Sequence, residues 1–197
     1  MVLVSFQSVF AASPTVVFDQ QTDGSGVVFK SSENGLDDDS ITFDNFTLKA
    51  NTNINEIRWV GGYLPSYVYN YGPVLDFKIA FYGTIANQPN FVTGPIKVYD
   101  FNTGIGNANE ASAGNGLYNY SFVLPKPLYA SANTKYWIEI VAGQATNGNW
   151  GLAKSIAGDL TRFNGVVNCP LCQTYRFLTN GDAAFSLYTS NVRKNVK

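Results

Sequence analysis

Any chemistry this chain performs has to be done without histidine, which is absent from its 197 residues. That removes Ser-His-Asp and Cys-His nucleophiles and leaves a zinc hydrolase centre without its usual ligands. Carboxylates, tyrosines, lysines and one cysteine pair remain. Asp37, Asp38 and Asp39 stand together after a glycine-containing turn, with Asp23 and Glu33 nearby in sequence. Adjacent carboxylates repel unless a cation or water screens them. Ca2+ gathers carboxylate and carbonyl oxygens, so this loop is a candidate cage for a structural calcium, with Asp182 of the final strand as a further candidate ligand. The D-x-[DN]-x-[DN]-G spacing of an EF-hand is missing. The competing reading is a solvated turn whose Asp side chains cap backbone amides. No cofactor is required by any motif.

The segment Tyr63-Leu-Pro-Ser-Tyr67-Val-Tyr69-Asn-Tyr71-Gly-Pro73 crowds tyrosines into a connection. If it is extended, Tyr67, Tyr69 and Tyr71 share one face. Exposed rings stack on sugars, and a phenol adds a hydroxyl for hydrogen bonding. Trp150, flanked by Asn147, Asn149 and Gly151, is a candidate member of the same platform. The competing reading folds the loop onto the domain with its rings buried. A protein partner would suit the same stripe.

Cys169-Pro-Leu-Cys172 is the only cysteine pair. A zinc site would need further ligands, and a thioredoxin-like site a βα context. In an exported protein the pair reads as a local disulfide. A carboxylate glycosidase needs two acids flanking one bond. Glu56 and Glu139 fall inside strand-like runs and Glu110 in a Gly/Asn-rich loop, and their spacing selects no pair.

The elements that must position these residues read as strands. Aromatic residues make up 15% and charged residues only 14%, a balance that suits short strands joined by polar turns better than helical bundles. Runs with strand character are Thr15–Asp19, Gly26–Lys30, Ser40–Leu48, Asn53–Gly61, Val74–Tyr82, Ile96–Phe101, Leu117–Leu124, Lys135–Ala142, Asn149–Lys154, Thr174–Leu178 and Ala183–Thr189. In the last run Phe185 and Leu187 alternate with Ser186 and Tyr188, and the inward set is plain. Around Ile138 both faces are partly apolar, as in a central strand. Turn pairs such as Asp23-Gly24, Asn34-Gly35, Gly61-Gly62, Asn147-Gly148, Asn164-Gly165 and Asn180-Gly181 favour positive φ. Prolines sit at or between run ends, where a missing donor does little harm. The expectation is an all-β fold: one antiparallel β-sandwich, jelly-roll-like, of about ten short strands.

Residues 1–12 read as a secretory signal with an apolar run and small residues before Ser13, although no Lys or Arg precedes the run. The alternative is a first strand kept in the fold. Residues 13–190 then form the sandwich domain and 191–197 a basic tail. A net charge of −1 argues against nucleic-acid binding. No segment is long and apolar enough to span a membrane as a helix.

The order of segments resembles a known group. Asp37-Asp38-Asp39-Ser-Ile-Thr-Phe-Asp44-Asn-Phe-Thr-Leu is followed by Ile54-Asn-Glu-Ile-Arg-Trp59-Val-Gly-Gly-Tyr63, then Phe77-Lys-Ile-Ala-Phe-Tyr82 and Lys135-Tyr-Trp-Ile-Glu-Ile140. Asn149-Trp-Gly151 and a closing Gly181-Asp-Ala-Ala-Phe-Ser-Leu-Tyr188 complete the series. Over roughly residues 19–189 this is similar to secreted bacterial β-sandwich proteins that carry a PEP-CTERM sorting tail. Its motifs are strand patterns, not active-site signatures. The resemblance implies export and a surface or matrix role, and no reaction. The Pro-Glu-Pro cue and apolar helix of that tail are missing from Thr189–Lys197.

Three functions follow as expectations. The first is a secreted, non-catalytic module binding extracellular polysaccharide or a surface protein. The second is a structural or adhesive envelope or matrix component that self-associates through open sheet edges. The third is a carboxylate-dependent glycoside hydrolase.

Overall fold

The computed structural model describes residues 13–33, 39–65, 72–102, 110–145, 148–168 and 173–190. In chain order the strands are β1 (Thr15–Gln20), β2 (Val28–Lys30), β3 (Ser32–Glu33), β4 (Asp39–Thr47), β5 (Thr52–Tyr63), β6 (Val74–Tyr82), β7 (Thr84–Ile85) and β8 (Gln88–Pro89). They continue as β9 (Lys97–Asn102), β10 (Ala111–Gly114), β11 (Leu117–Ala130), β12 (Lys135–Gln144), β13 (Trp150–Ser155), β14 (Thr161–Asn168), β15 (Gln173–Asn180), β16 (Asp182–Ala183) and β17 (Phe185–Thr189). No helix occurs among the described residues.

Two large sheets form the sandwich. The first is built on β5. One side of β5 pairs with β11, which carries β10; the other pairs with β17, which carries β1, and further along with β13, which carries β2 and β16. The second runs β15-β14-β4-β3-β12-β6-β9. Pairing is antiparallel except between β12 and the two-residue β3. β7 and β8 make a small hairpin outside both sheets.

Alternation explains the core. Ile57 and Trp59 of β5 and Tyr120 of β11 point between the sheets, against Phe77, Ile79 and Phe81 of β6 and Ile138 and Ile140 of β12. Trp59 and Trp150 each meet Phe77 edge-on, with ring centroids 5.0 Å apart. Such offset aromatic contacts add to the area they bury.

Several expectations about turns are corrected. Gly24 and Gly181 do adopt positive φ, at 70° and 100°. Gly61-Gly62 and Asn164-Gly165 instead lie inside β5 and β14. A Cβ on Gly61 would stand 2.0 Å from Trp150 Cζ2, so this glycine serves close packing, not a turn. Taking Asn164-Gly165 for a turn hides all of β14. Two turns go unread: Asn115-Gly116, with φ of 52° and 74°, closes the hairpin between β10 and β11, and Ala86-Asn87, with φ of 47° and 58°, closes that between β7 and β8. Pro125 and Pro127 lie within β11, not at a run end. They fall where its register with β5 breaks between Val123 and Leu128, so no ladder donor is lost.

Candidate functional site

Among the described residues, much of the outer face of the first sheet is open, and register places side chains there in straight rows. Asp19 of β1 pairs with Ser186 of β17, Ser186 with Arg58 of β5, and Arg58 with Ser121 of β11. Because side chains alternate along each strand, these residues face opposite to Phe18, Phe185, Leu187 and Trp59 of the core. The result is a polar row of carboxylate, hydroxyl, guanidinium and hydroxyl. Beside it on one side runs Val16–Tyr188–Glu56–Val123, and on the other Val60–Asn119–Ala111.

Much of this face is concave. A trough of about 800 Å³ is lined by Val16, Asp19, Gln21, Arg58, Val60, Ala111, Asn119, Ser121, Ser186 and Tyr188, among others. It crosses β1, β17, β5, β11 and β10, which is roughly 19 Å at about 4.8 Å per strand. Its polar groups are held in place. Asp19 accepts from Ser186 Oγ and, at 2.9 Å, from Gln21 Nε2. Arg58 Nε donates to Glu56 Oε1 at 2.6 Å, and the guanidinium carbon lies 4.2 Å from the centre of the Tyr188 ring. The hydrogen bond and charge of Glu56 hold Arg58 above the ordinary guanidinium value despite partial burial. Pre-oriented donors and acceptors beside an aromatic ring are chemistry for recognising hydroxyl-rich ligands.

The residues expected from sequence are placed otherwise. Trp150 does not join an exposed platform: it is 0% exposed. Its Nε1 donates to Tyr120 Oη at 3.0 Å, Tyr120 donates to Glu110 Oε1 at 3.0 Å, and Tyr63 donates to the same oxygen at 2.6 Å. Tyr63 also accepts from the Val74 amide at 3.2 Å. Burial, reinforced by Glu110, pushes both phenols above their ordinary range. Tyr63 and Trp150 are thus brought together, as ends of a structural hydrogen-bond chain. Tyr67, Tyr69 and Tyr71 lie outside the described residues, as do Asp37, Asp38, Cys169 and Cys172.

Asp39 and Asp182 are not brought together. Asp39 pairs with Val167 in the second sheet and Asp182 with Ser155 in the first. Asp182 is fully buried and accepts from the Leu160 and Thr161 amides at 2.9 and 3.2 Å. No three His, Cys, Asp or Glu residues converge as a metal site among the described residues. The candidate acids also part company: Glu56 closes onto Arg58, Glu139 is buried on the second sheet, and Glu110 holds the tyrosines.

The row was half legible. The alternation of Ser186 and Tyr188 against Phe185 and Leu187 marks the outward set of β17. Nothing in the sequence says that β1, β17, β5 and β11 are neighbours, since their pairings join residues as far apart as Asp19 and Ser186.

Fold and face together define a β-sandwich with an open, polar, concave sheet face. Over residues 13–168 the chain matches, and belongs to, the family described as Domain of unknown function (DUF7901). No curated protein and no solved structure matches it. The family match takes in Asp19, Arg58, Asn119 and Ser121, while Ser186 and Tyr188 come from the strand beyond it. No helix among the described residues is long and apolar enough to cross a membrane.

Proposed function

We propose that this protein is an exported, non-catalytic binding module for extracellular polysaccharide, and that the glycan lies in the trough on the first sheet. The observation that supports this reading is the row Asp19–Ser186–Arg58–Ser121 along a concavity wide enough to cross several strands. Hydroxyl, carboxylate and guanidinium groups at strand spacing offer donors and acceptors in turn. The Tyr188 ring and the apolar Val16 and Val60 supply surface for the faces of sugar rings. Among the described residues Asp19 is the sole carboxylate of the lining, and the neighbouring Glu56 is engaged by Arg58, so no pair of free acids faces one bond there.

A glycan-array screen of the chain, with and without calcium, tests this. Binding to one class of polymer, lost in Arg58→Ala plus Tyr188→Ala and kept in Tyr67→Ala plus Tyr69→Ala, is the expected result. Loss only in the second pair would move the site to the tyrosine segment. No binding to any glycan would overturn the reading.

A second reading has one observation in its favour. β15 is an edge strand of the second sheet, and its Phe177 and Leu178 are 48% and 53% exposed. Exposed apolar edges accept strands from neighbours. Self-association would then rise with concentration in sedimentation and fall on Phe177→Lys. A monomer at all concentrations counts against it.

A further inference from the structure

From the charge layout of the same trough we infer that its ligand is a neutral polysaccharide, laid across the strands, and not an acidic or sulfated one; this rests on the binding reading above. A polyanion needs cations to meet it, and affinity for one comes from Lys and Arg with charge to spare. Among the described residues Arg58 is the only cation lining the trough, and its charge is already met by Glu56 at 2.6 Å. Asp19 adds a carboxylate to the same row, directly across β17 from Arg58. Among the described residues one guanidinium therefore stands against two carboxylates, and no lysine lines the trough to redress the balance. An incoming uronate or sulfate would meet net negative charge and would compete with Glu56, which already accepts from Nε, for the charge of Arg58. A neutral sugar meets no such opposition. Vicinal hydroxyls can donate to Asp19 and accept from Arg58, and Asn119 and Ser121 extend the same two-way bonding.

The geometry also gives direction. The polar row runs perpendicular to the strands, so a chain following it would touch β1, β17, β5 and β11 in succession. Fit along the row then depends on several consecutive sugars, and short oligosaccharides fill only part of it.

The test is affinity electrophoresis of the full chain through gels carrying one soluble polymer each. The neutral probes are mixed-linkage β-glucan, xyloglucan and galactomannan; the anionic probes are alginate, polygalacturonate and dextran sulfate. Retardation by a neutral polymer alone is expected, unchanged between about 0.05 and 0.5 M salt because screening has little to act on. Arg58→Ala should weaken it roughly tenfold or more, as loss of a charged hydrogen bond does. Affinity for matched oligosaccharides should climb with length and then level off. Retardation by an anionic polymer, abolished by salt, would overturn the inference while leaving a glycan-binding module standing. Retardation by none of the six would overturn both. If Arg58→Ala proves poorly folded by circular dichroism, Ser121→Ala with Asn119→Ala on the neighbouring strand reads out the same row.

Discussion

The two outer faces of this sandwich are built on the same alternation and treated in opposite ways. On the second sheet, Phe43, Trp137 and Phe163 point away from the main core, yet all are buried. Phe91, from the connection after β8, lies over them, with ring centroids 5.4 Å from Phe43 and 5.6 Å from Phe163. Arg176 stacks in turn on Phe91, its guanidinium carbon 4.1 Å from the ring centre. Even a carboxylate is enclosed there: Glu139 is 2% exposed, accepting from Tyr82 Oη at 2.7 Å and paired with Lys78 at 3.0 Å. On the first sheet nothing comparable covers the trough among the described residues, and Val16 and Val123 at its side are 48% and 68% exposed. A roofed face ties its side chains to stability. An open face leaves their identity free for contact with something else, and there the chain places a polar row.

The comparison predicts where mutations will hurt, and most of all beneath the roof. Trp137→Ala should destabilise by about 3–5 kcal/mol, the usual loss for a large buried ring. Trp137→Phe should cost far less, since the Trp137 indole nitrogen finds no hydrogen-bond partner among the described residues. Urea unfolding followed by tryptophan fluorescence or circular dichroism measures both. A loss under about 1 kcal/mol for the alanine would mean that the roof does not seal this face. Glu139→Ala comes next, at about 2 kcal/mol, because it leaves Tyr82 Oη and Lys78 without their shared acceptor. Lys78 still has Glu33 at 3.5 Å, which limits the damage.

What the sequence disclosed follows the same division. The all-β class, the sandwich and most of the long strands were readable, because period-2 alternation is local. That both faces of β12 are buried was also readable, from Trp137 and Val141 alternating with Ile138 and Ile140. β3, β7, β8 and β10 were missed because strands of two to four residues carry too few side chains to show a period. The candidate site was hidden for a different reason. Trp150 in an Asn/Gly setting looks exposed, and only the approach of Gly61 and the hydroxyl of Tyr120 make a buried place for it. Arg58 and Ser121 look like ordinary outward strand residues until pairing sets them beside Asp19 and Ser186.

Acidity separates the interior from the open face in another way. Asp44 is buried where β4 meets the other sheet, accepting from Gln20 Nε2 at 2.9 Å and the Ala183 amide at 2.6 Å. Burial holds its carboxyl well above the usual range, opposed by those hydrogen bonds and reinforced by nearby Asp182. Burial also raises Asp182. A folded-state pKa above the unfolded value contributes stability that is complete below the unfolded pKa and is lost as pH rises through the folded one. Asp44 and Asp182 therefore pull the melting temperature down as pH rises above about 4, against the opposite pull of Asp23 and Asp159, whose carboxyls are lowered, so replacing Asp44 by asparagine should tilt the slope upward. The slope is the test, because asparagine turns an NH2 group toward donors and lowers stability at every pH. The same slope in wild type and Asp44→Asn would contradict it.

The smallest expected effect bears most directly on the open face. Ser121→Ala and Asn119→Ala remove exposed polar groups from β11 without touching the core, and each should change stability by no more than about 0.5 kcal/mol. Arg58→Ala should stay within about 1 kcal/mol, because its side chain is 46% exposed and surface ion pairs contribute little. If the row served the fold, these losses would approach those under the roof, and substitution would be punished by unfolding. If it serves a ligand, the ordering inverts: variants that melt with wild type should lose retardation by the polymer, and Trp137→Phe should keep it. Measuring melting temperature and gel retardation on the same preparations puts both quantities side by side. A face that can be rewritten without unfolding the domain is held by what it binds, and a face that cannot is held by what it supports.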